Sequence, residues 1–170
     1  MYKKINLGTF IILLSIIIST SSCGVYSFTG ASVDTNVKTI SIDNFPNLAS
    51  LVAPSLSQSF SEKLKDKCVS DTRLTLKGED GDIAFSGDII NYYVQPAASG
   101  ANDQANFNRL TIAVRVEYIN QVTDKKWSET FEDFENFDAN SNLSDVEDEL
   151  IELITDKLVQ NIFNRAFTNW

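Results

Sequence analysis

The stretch that decides the fold spans residues 109–120 and has the sequence RLTIAVRVEYIN. Its side chains alternate between apolar and polar, which is typical of a β-strand with one buried and one solvated face. The predicted inward residues are Leu110, Ile112, Val114, Val116 and Tyr118, and the predicted outward residues are Arg109, Thr111, Arg115 and Glu117. Such a strand needs neighbouring strands for its backbone hydrogen bonds and an apolar layer to cover its inward face.

Strands are predicted on both sides of this stretch, at residues 83–94 and 126–137, the second after a hairpin turn at 123–125. Gly87 predicts a bulge or a close backbone approach in the first of them. The aromatic residues of the second break the period of two, which predicts a β-bulge near Glu132 and Asp133. The predicted faces of the first are Ile83, Phe85, Ile89 and Tyr93 on one side, and Ile90, Tyr92 and Val94 on the other.

Two amphipathic helices and one more strand complete the pattern. A strand is predicted at 37–45, and residues 71–81 are predicted to form a polar turn. The first helix has an apolar stripe of Leu56, Phe60, Leu64 and Cys68. The second helix follows a predicted capping box that begins at Ser144. Its apolar face comprises Val146, Leu150, Ile151, Ile154, Leu158, Ile162, Phe163, Ala166 and Phe167.

The order strand, helix, three strands and helix predicts an α+β fold. We expect a four-stranded, mostly antiparallel sheet with both helices packed on one face, because two helices that are each apolar on one side can share one sheet surface. Residues 37–170 are long enough for a single domain with its own core.

The N-terminus has the layout of a secretory signal: Lys3 and Lys4, an apolar run at 5–18, and small residues before Cys23. The run is shorter than the about 20 residues of a membrane-spanning helix. A cysteine at this place resembles the lipobox of bacterial lipoproteins, although an ordinary signal peptide with a chance cysteine is an alternative. We expect a cleaved signal at 1–22, lipidation of Cys23 with acyl chains such as palmitate, and a tether at 23–36.

The residues after Cys23 predict the location. Gly24 is not the Asp that favours retention in the inner membrane of enteric bacteria, and no acidic residue precedes Asp34. The short acidic tag that directs some lipoproteins to the cell surface is therefore missing. We expect anchoring at the periplasmic face of the outer membrane.

Charge and composition exclude several functions. Residues 23–170 contain 12 basic and 23 acidic side chains, a net charge of −11, which argues against nucleic-acid binding. The sequence has no histidine, so triads, Cys-His pairs and histidine metal sites are excluded. Cys68 is the one cysteine besides Cys23, and its position on the helical stripe predicts a buried hydrophobe. We expect no enzyme activity, no cofactor and no metal, although carboxylate catalysis is not excluded.

Two acidic features leave alternatives open. Asp138, Asn140, Asn142 and Glu149 fall at positions 1, 3, 5 and 12 of a calcium loop, but Leu143 stands where that loop needs glycine. A polar linker that leads into a capped helix explains the same residues. Residues 127–156 contain eleven acidic and no basic side chains, which favours either a solvated face or a surface for a basic partner.

Four segments carry a family resemblance: residues 23–28 (CGVYSF), 37–42 (VKTISI), 44–47 (NFPN) and 56–64 (LSQSFSEKL). Together with the element order they resemble the Bacteroidetes branch of the LptE family, the lipopolysaccharide-assembly lipoproteins of the outer membrane. The resemblance implies a non-enzymatic plug in the lumen of a large β-barrel, LptD, with which it inserts lipopolysaccharide into the outer leaflet.

Four basic residues are the candidate contacts with lipopolysaccharide or the barrel. Arg109 and Arg115 share the outward face of their strand, and Lys125 and Lys126 follow at the hairpin. The planar guanidinium suits carboxylates and phosphates, whereas isolated solubilising charges are the alternative, especially for the lysines. The alternative functions are a periplasmic ligand-binding or enzyme-inhibiting lipoprotein, which needs a pocket on the open sheet face, and a carboxylate hydrolase.

Overall fold

A computed structural model of the chain describes residues 31–51, 53–97 and 107–168. Its elements are β1 (Thr39–Ile42), α1 (Leu56–Asp71), β2 (Thr75–Lys77), β3 (Ile83–Ala97), β4 (Phe107–Asn120), β5 (Lys125–Asp138) and α2 (Leu143–Phe167). The α+β class and the two helices are confirmed. The described sheet has five strands rather than the four predicted, in the order β2-β1-β3-β4-β5.

The additional strand is β2, which lies within the segment predicted as a turn. It pairs in parallel with β1, with Thr39 opposite Thr75, because α1 returns the chain to the same end of the sheet. All three residues of β2 are exposed, so the sequence contains no apolar alternation that would have revealed it. The sheet is mixed: β1 pairs in parallel with β2 and β3, and β4 pairs antiparallel with both β3 and β5.

One apolar core lies between the sheet and the two helices. The five predicted inward residues of β4 are buried, and so are the apolar stripe of α1 and the predicted face of α2, apart from Val146, which is half-buried against the core. The helices also contact each other, since the Lys63 ammonium of α1 forms an ion pair with the Asp156 carboxylate of α2. Both helices therefore cover the same face of the sheet, as predicted.

Strand β3 is irregular at two places. Gly87 has φ +152°, and a Cβ atom there would lie 2.0 Å from the Arg115 carbonyl oxygen of β4. The prediction of a close backbone approach is thus confirmed. The register with β4 shifts between Ile89 and Asn91, which places Tyr92 in the core. The predicted faces were therefore wrong beyond Ile90, because one extra residue exchanges the two faces.

Strand β5 is regular, contrary to the predicted bulge. All fourteen of its residues pair with β4 without a register shift, so Glu132 and Asp133 lie in continuous strand. Trp127, Phe131 and Phe137 lie against the core. The period of two is broken because Phe134 belongs to the opposite face, where it is 41% exposed.

Helix α2 begins at Leu143, with Asn142 as its N-cap and no side-chain capping hydrogen bond. Ser144 is therefore inside the helix, and the predicted capping box is wrong. Leu143 packs against the core, which explains why the helix begins before Ser144.

The start of the described chain lies against the domain. The backbone amide of Ser32 donates to the Phe167 carbonyl at 2.7 Å, and Ala31 and Val33 pack on the core. Cys23 and the predicted signal lie outside the described residues. Within the described ranges, no helix is both long enough and apolar enough to cross a membrane.

Candidate partner-binding surface

The sheet presents its second face, opposite to the helices, as the candidate binding surface. We call it the open face. On β4 it comprises Arg109, Thr111, Ala113, Arg115 and Glu117, and on β5 it comprises the cross-strand partners Asn136, Phe134, Glu132, Thr130 and Ser128. The alternation of β4 thus places both candidate arginines on one surface, away from the core.

Arg109 is held in place by two neighbours on β5. Its guanidinium carbon lies 3.8 Å from the centre of the Phe134 ring. Its Nε donates to Asn136 Oδ1 at 3.0 Å. A cation over an aromatic face contributes about 0.5–1 kcal/mol at an exposed site. The terminal NH2 groups make no hydrogen bond within the described residues, so the end of the guanidinium is preorganised and available.

The middle of the open face is less solvated than the alternation predicted. Thr111 is 3% exposed, although its sequence position predicted contact with water. Its cross-strand partners are Tyr93 and Phe134, and two large aromatic residues beside a small one shield it from solvent. The open face therefore combines an aromatic strip with a guanidinium, a combination that suits a partly apolar partner.

Arg115 lies farther along the same face. It is six positions along β4 from Arg109, which corresponds to roughly 20 Å. It is exposed, its neighbours across the strands are Asp88 and Thr130, and within the described part of the chain its side chain makes no ion pair. The two arginines can thus contact two separate groups of an extended partner.

The lysines are not continuous with the arginines. Lys126 lies opposite Ile119 on the open face, ten residues along β4 from Arg109 and therefore roughly 34 Å away. Lys125 belongs to the other face of β5 and lies beside Ser32 and Thr123. The hairpin lysines and Arg109 thus mark opposite ends of the sheet.

The acidic run at 127–156 is divided among several surfaces. On the helix side of β5, Glu129 accepts hydrogen bonds from Arg165 Nε at 2.9 and 3.0 Å, which lower the pKa of Glu129. Lys157 pairs with Glu135 at 2.6 Å and with Asp133 at 3.5 Å. These pairs connect α2 to β5, so part of the run stabilises the domain and does not form one acidic binding face.

Lys157 and Asp133 also bond the backbone of Phe134. The ammonium of Lys157 donates to the Phe134 carbonyl at 3.2 Å, and the Phe134 amide donates to the Asp133 carboxylate at 2.8 Å. Both backbone polar groups of Phe134, in the edge strand β5, therefore have hydrogen-bond partners. Phe134 is the residue on which Arg109 stacks. This fixes the aromatic platform of the open face.

The remaining candidate groups show no catalytic arrangement. Cys68 is fully buried, and burial raises the pKa of its thiol to about 12, so the residue is the predicted hydrophobe. Asp138 Oδ1 accepts from the amide of Asn140 at 2.7 Å within its own loop. In the ranges that the structure describes, no group of three acidic or cysteine residues could hold a metal ion.

A surface cleft of about 540 Å³ lies elsewhere, between residues 31–38 and the end of α1. Val33, Asp34, Arg73 and Leu74 are among its lining residues. The ligand-binding alternative placed its pocket on the open face of the sheet, and this cleft is not there.

The fold and the open face define a small α+β domain in which neither helix covers the second face of the sheet. The model of the LptE family, described as lipopolysaccharide-assembly, matches residues 37–166. The protein belongs to the LptE family. This is a family of non-enzymatic lipopolysaccharide-assembly lipoproteins, and the chain is not an enzyme.

A solved structure shows the same fold. The hypothetical protein CT253 from Chlamydia trachomatis is 14% identical, with a TM-score of 0.56 over 76% of this chain and 95% of that chain. A minor lipoprotein from Acinetobacter baumannii is also 14% identical, with a TM-score of 0.49 over 77% of this chain and 93% of its own. Among curated proteins, no match was found.

Sequence reasoning missed the two aromatic residues that shape the open face, Tyr93 and Phe134. The break in the period of β5 was the available signal, since an aromatic residue out of phase with its strand must face the other side. A β-bulge breaks the period in the same way, so the sequence of this strand alone does not distinguish the two explanations.

Proposed function

We propose that the protein is an outer-membrane lipoprotein that partners a large LptD-like β-barrel. In this role it is the plug and assembly factor in the transport of lipopolysaccharide to the outer leaflet. The observation that carries the proposal is the family match over 37–166, which spans the entire folded domain from β1 into α2.

The anchor in this proposal is Cys23, acylated after cleavage of residues 1–22. Two or three acyl chains hold a protein durably at a membrane, whereas one chain binds marginally. The anchor would then lie in the periplasmic leaflet of the outer membrane, the same bilayer that holds the barrel plugged by the domain.

The open face is the proposed contact with the barrel lumen or with lipopolysaccharide. Arg109 and Arg115 supply planar donors for carboxylates or phosphates. Phe134 and Tyr93 lie between the two arginines along the sheet and add apolar contact area. The net charge from residue 23 onward is −11, so the domain as a whole repels anions. The two arginines would therefore bind an anionic group locally, on the open face.

Charge reversal of both arginines tests this contact. We expect Arg109→Glu with Arg115→Glu to leave the domain folded, with a loss of about 0.5–1 kcal/mol from the cation–aromatic contact. The variant should retrieve much less barrel in a pull-down from mild detergent, quantified by mass spectrometry.

A matched control changes the net charge by the same amount as the arginine variant. Arg73→Glu with Lys77→Glu changes two exposed cations near the opposite edge of the sheet. This control should retrieve the barrel at wild-type stoichiometry. If the arginine variant and the control retrieve equal amounts of barrel and bind lipopolysaccharide equally, the open face has no part in the mechanism. If the wild type retrieves no barrel, the partner assignment itself fails, and a periplasmic ligand-binding or enzyme-inhibiting lipoprotein replaces it.

A further inference from the structure

The described chain begins beside the β4–β5 turn. Ser32 is bonded to Phe167 at the end of α2, and Ser32 and Asp34 share a cleft with Thr123 and Lys125. We call this part of the molecule, residues 31–34 with residues 119–126, the hairpin end. Whatever precedes Ala31 in the chain is therefore attached to the domain at the hairpin end.

The distance between the proposed anchor and this end is limited. Seven residues, 24–30, separate Cys23 from the described chain, and the eight Cα–Cα steps from Cys23 to Ala31 span at most about 29 Å. Helix α2 has 25 residues, so it extends about 37 Å away from the hairpin end. Its direction is fixed by the pairs of Arg165 with Glu129 and of Lys157 with Glu135.

The hairpin end has the chemistry of a membrane-interface contact. Ile119 and Val122 are 46% and 43% exposed, and Lys125 and Lys126 are exposed beside them. With Asp34 and Asp124 beside the two lysines, the hairpin end has no net charge. Aliphatic side chains next to lysines suit the headgroup layer, because the apolar groups enter it while the ammonium groups contact phosphate.

The opposite end of the domain is acidic. The first turns of α2 carry Asp145, Glu147, Asp148 and Glu149 without a basic residue. An anionic leaflet repels such a cluster and attracts lysines. The two ends thus differ in both charge and attachment, and both differences favour the same orientation.

We propose that, in the lipoprotein that has not yet entered the barrel, the hairpin end docks on the phospholipid leaflet that holds the anchor, with Val122 and Ile119 in the headgroup layer and Lys125 and Lys126 on lipid phosphates. The inference rests on the proposed acylation of Cys23. It assigns the two lysines to the membrane surface, separate from the arginines of the open face, and it directs the acidic start of α2 away from the bilayer.

Site-specific quenching tests the orientation. The acylated protein, residues 23–170, is reconstituted into vesicles of phosphatidylethanolamine and phosphatidylglycerol that contain a headgroup-level quencher lipid. One variant carries an environment-sensitive fluorophore at Val122→Cys, and the matched control carries it at Phe107→Cys, an exposed apolar site at the other end of β4. The buried Cys68 does not compete for the label.

We expect several-fold stronger quenching at position 122 than at position 107. Lys125→Gln with Lys126→Gln should reduce the ratio of docked to undocked protein about 25-fold, since each lysine near an anionic surface contributes about fivefold to that ratio. Equal quenching at both positions, or no effect of the lysine variant, overturns the inference while the lipoprotein assignment stands. A Cys23 peptide without diacylglycerol in mass spectrometry overturns both.

Discussion

Leu158 is the residue at which the packing of the fold can be tested most directly. It lies on the buried face of α2 and is fully inaccessible to solvent, in the core shared by both helices and the sheet. Leu153 lies on the same helix and is 44% exposed. The pair allows the same substitution to be made with and without loss of core packing.

The expected cost follows from burial. Truncation of a fully buried leucine to alanine removes transfer free energy and leaves a cavity, which together cost about 2–5 kcal/mol. We take about 3 kcal/mol for Leu158→Ala, which lowers the Tm of a domain of this size by about 10 °C. Leu153→Ala should change the Tm by little, because the side chain is already largely in water and alanine has a high helix propensity.

Thermal unfolding followed by far-UV circular dichroism, in the same mild detergent for all variants, measures the difference. Leu158→Asp should be more damaging still, because it leaves a lone charge against the sheet. The reasoning is refuted if Leu158→Ala and Leu153→Ala melt at the same temperature. In that case α2 would not be docked through the face that we describe.

Three further outcomes are expected. Gly87→Ala should destabilise the domain strongly, since the new Cβ meets the Arg115 carbonyl at 2.0 Å, whereas Gly78→Ala, with nothing within 4 Å, should be tolerated in the same unfolding assay. Cys68 should resist alkylation in the folded protein and react in urea. Because its pKa is raised from 9.0 to about 12, the stability that it contributes is complete below pH 9 and is lost as the pH rises toward 12. Cys23→Ser should abolish acylation and leave the protein soluble or as a precursor, and fractionation with outer membranes through its own lipid would contradict this.

Local patterns predicted the elements whose burial follows one period. The alternation of β4 and the stripe of α1 from Leu56 to Cys68 were both confirmed, because each of these elements buries one face along its whole length. Strand β2 left no such pattern, since its three exposed residues are held by β1 through backbone hydrogen bonds. Backbone pairing of this kind does not depend on side-chain type.

The candidate site was likewise predicted from the sequence only in part. The placement of Arg109 and Arg115 on one face followed from the sequence, because two residues separated by an even number lie on the same side of a strand. The platform under Arg109 did not follow, since Phe134 is 25 residues away in the chain and reaches Arg109 through the β4–β5 register.

The class of fold, the covered face of β4 and the absence of histidine chemistry followed from the sequence, since these depend on composition and on the periodicity of single elements. The tertiary structure alone decided the fifth strand, the exchange of faces after Ile90 and the separation of the lysines from Arg109. These features depend on how distant segments align, and strand register and bulges are set by packing across the sheet rather than by the residues of any one strand.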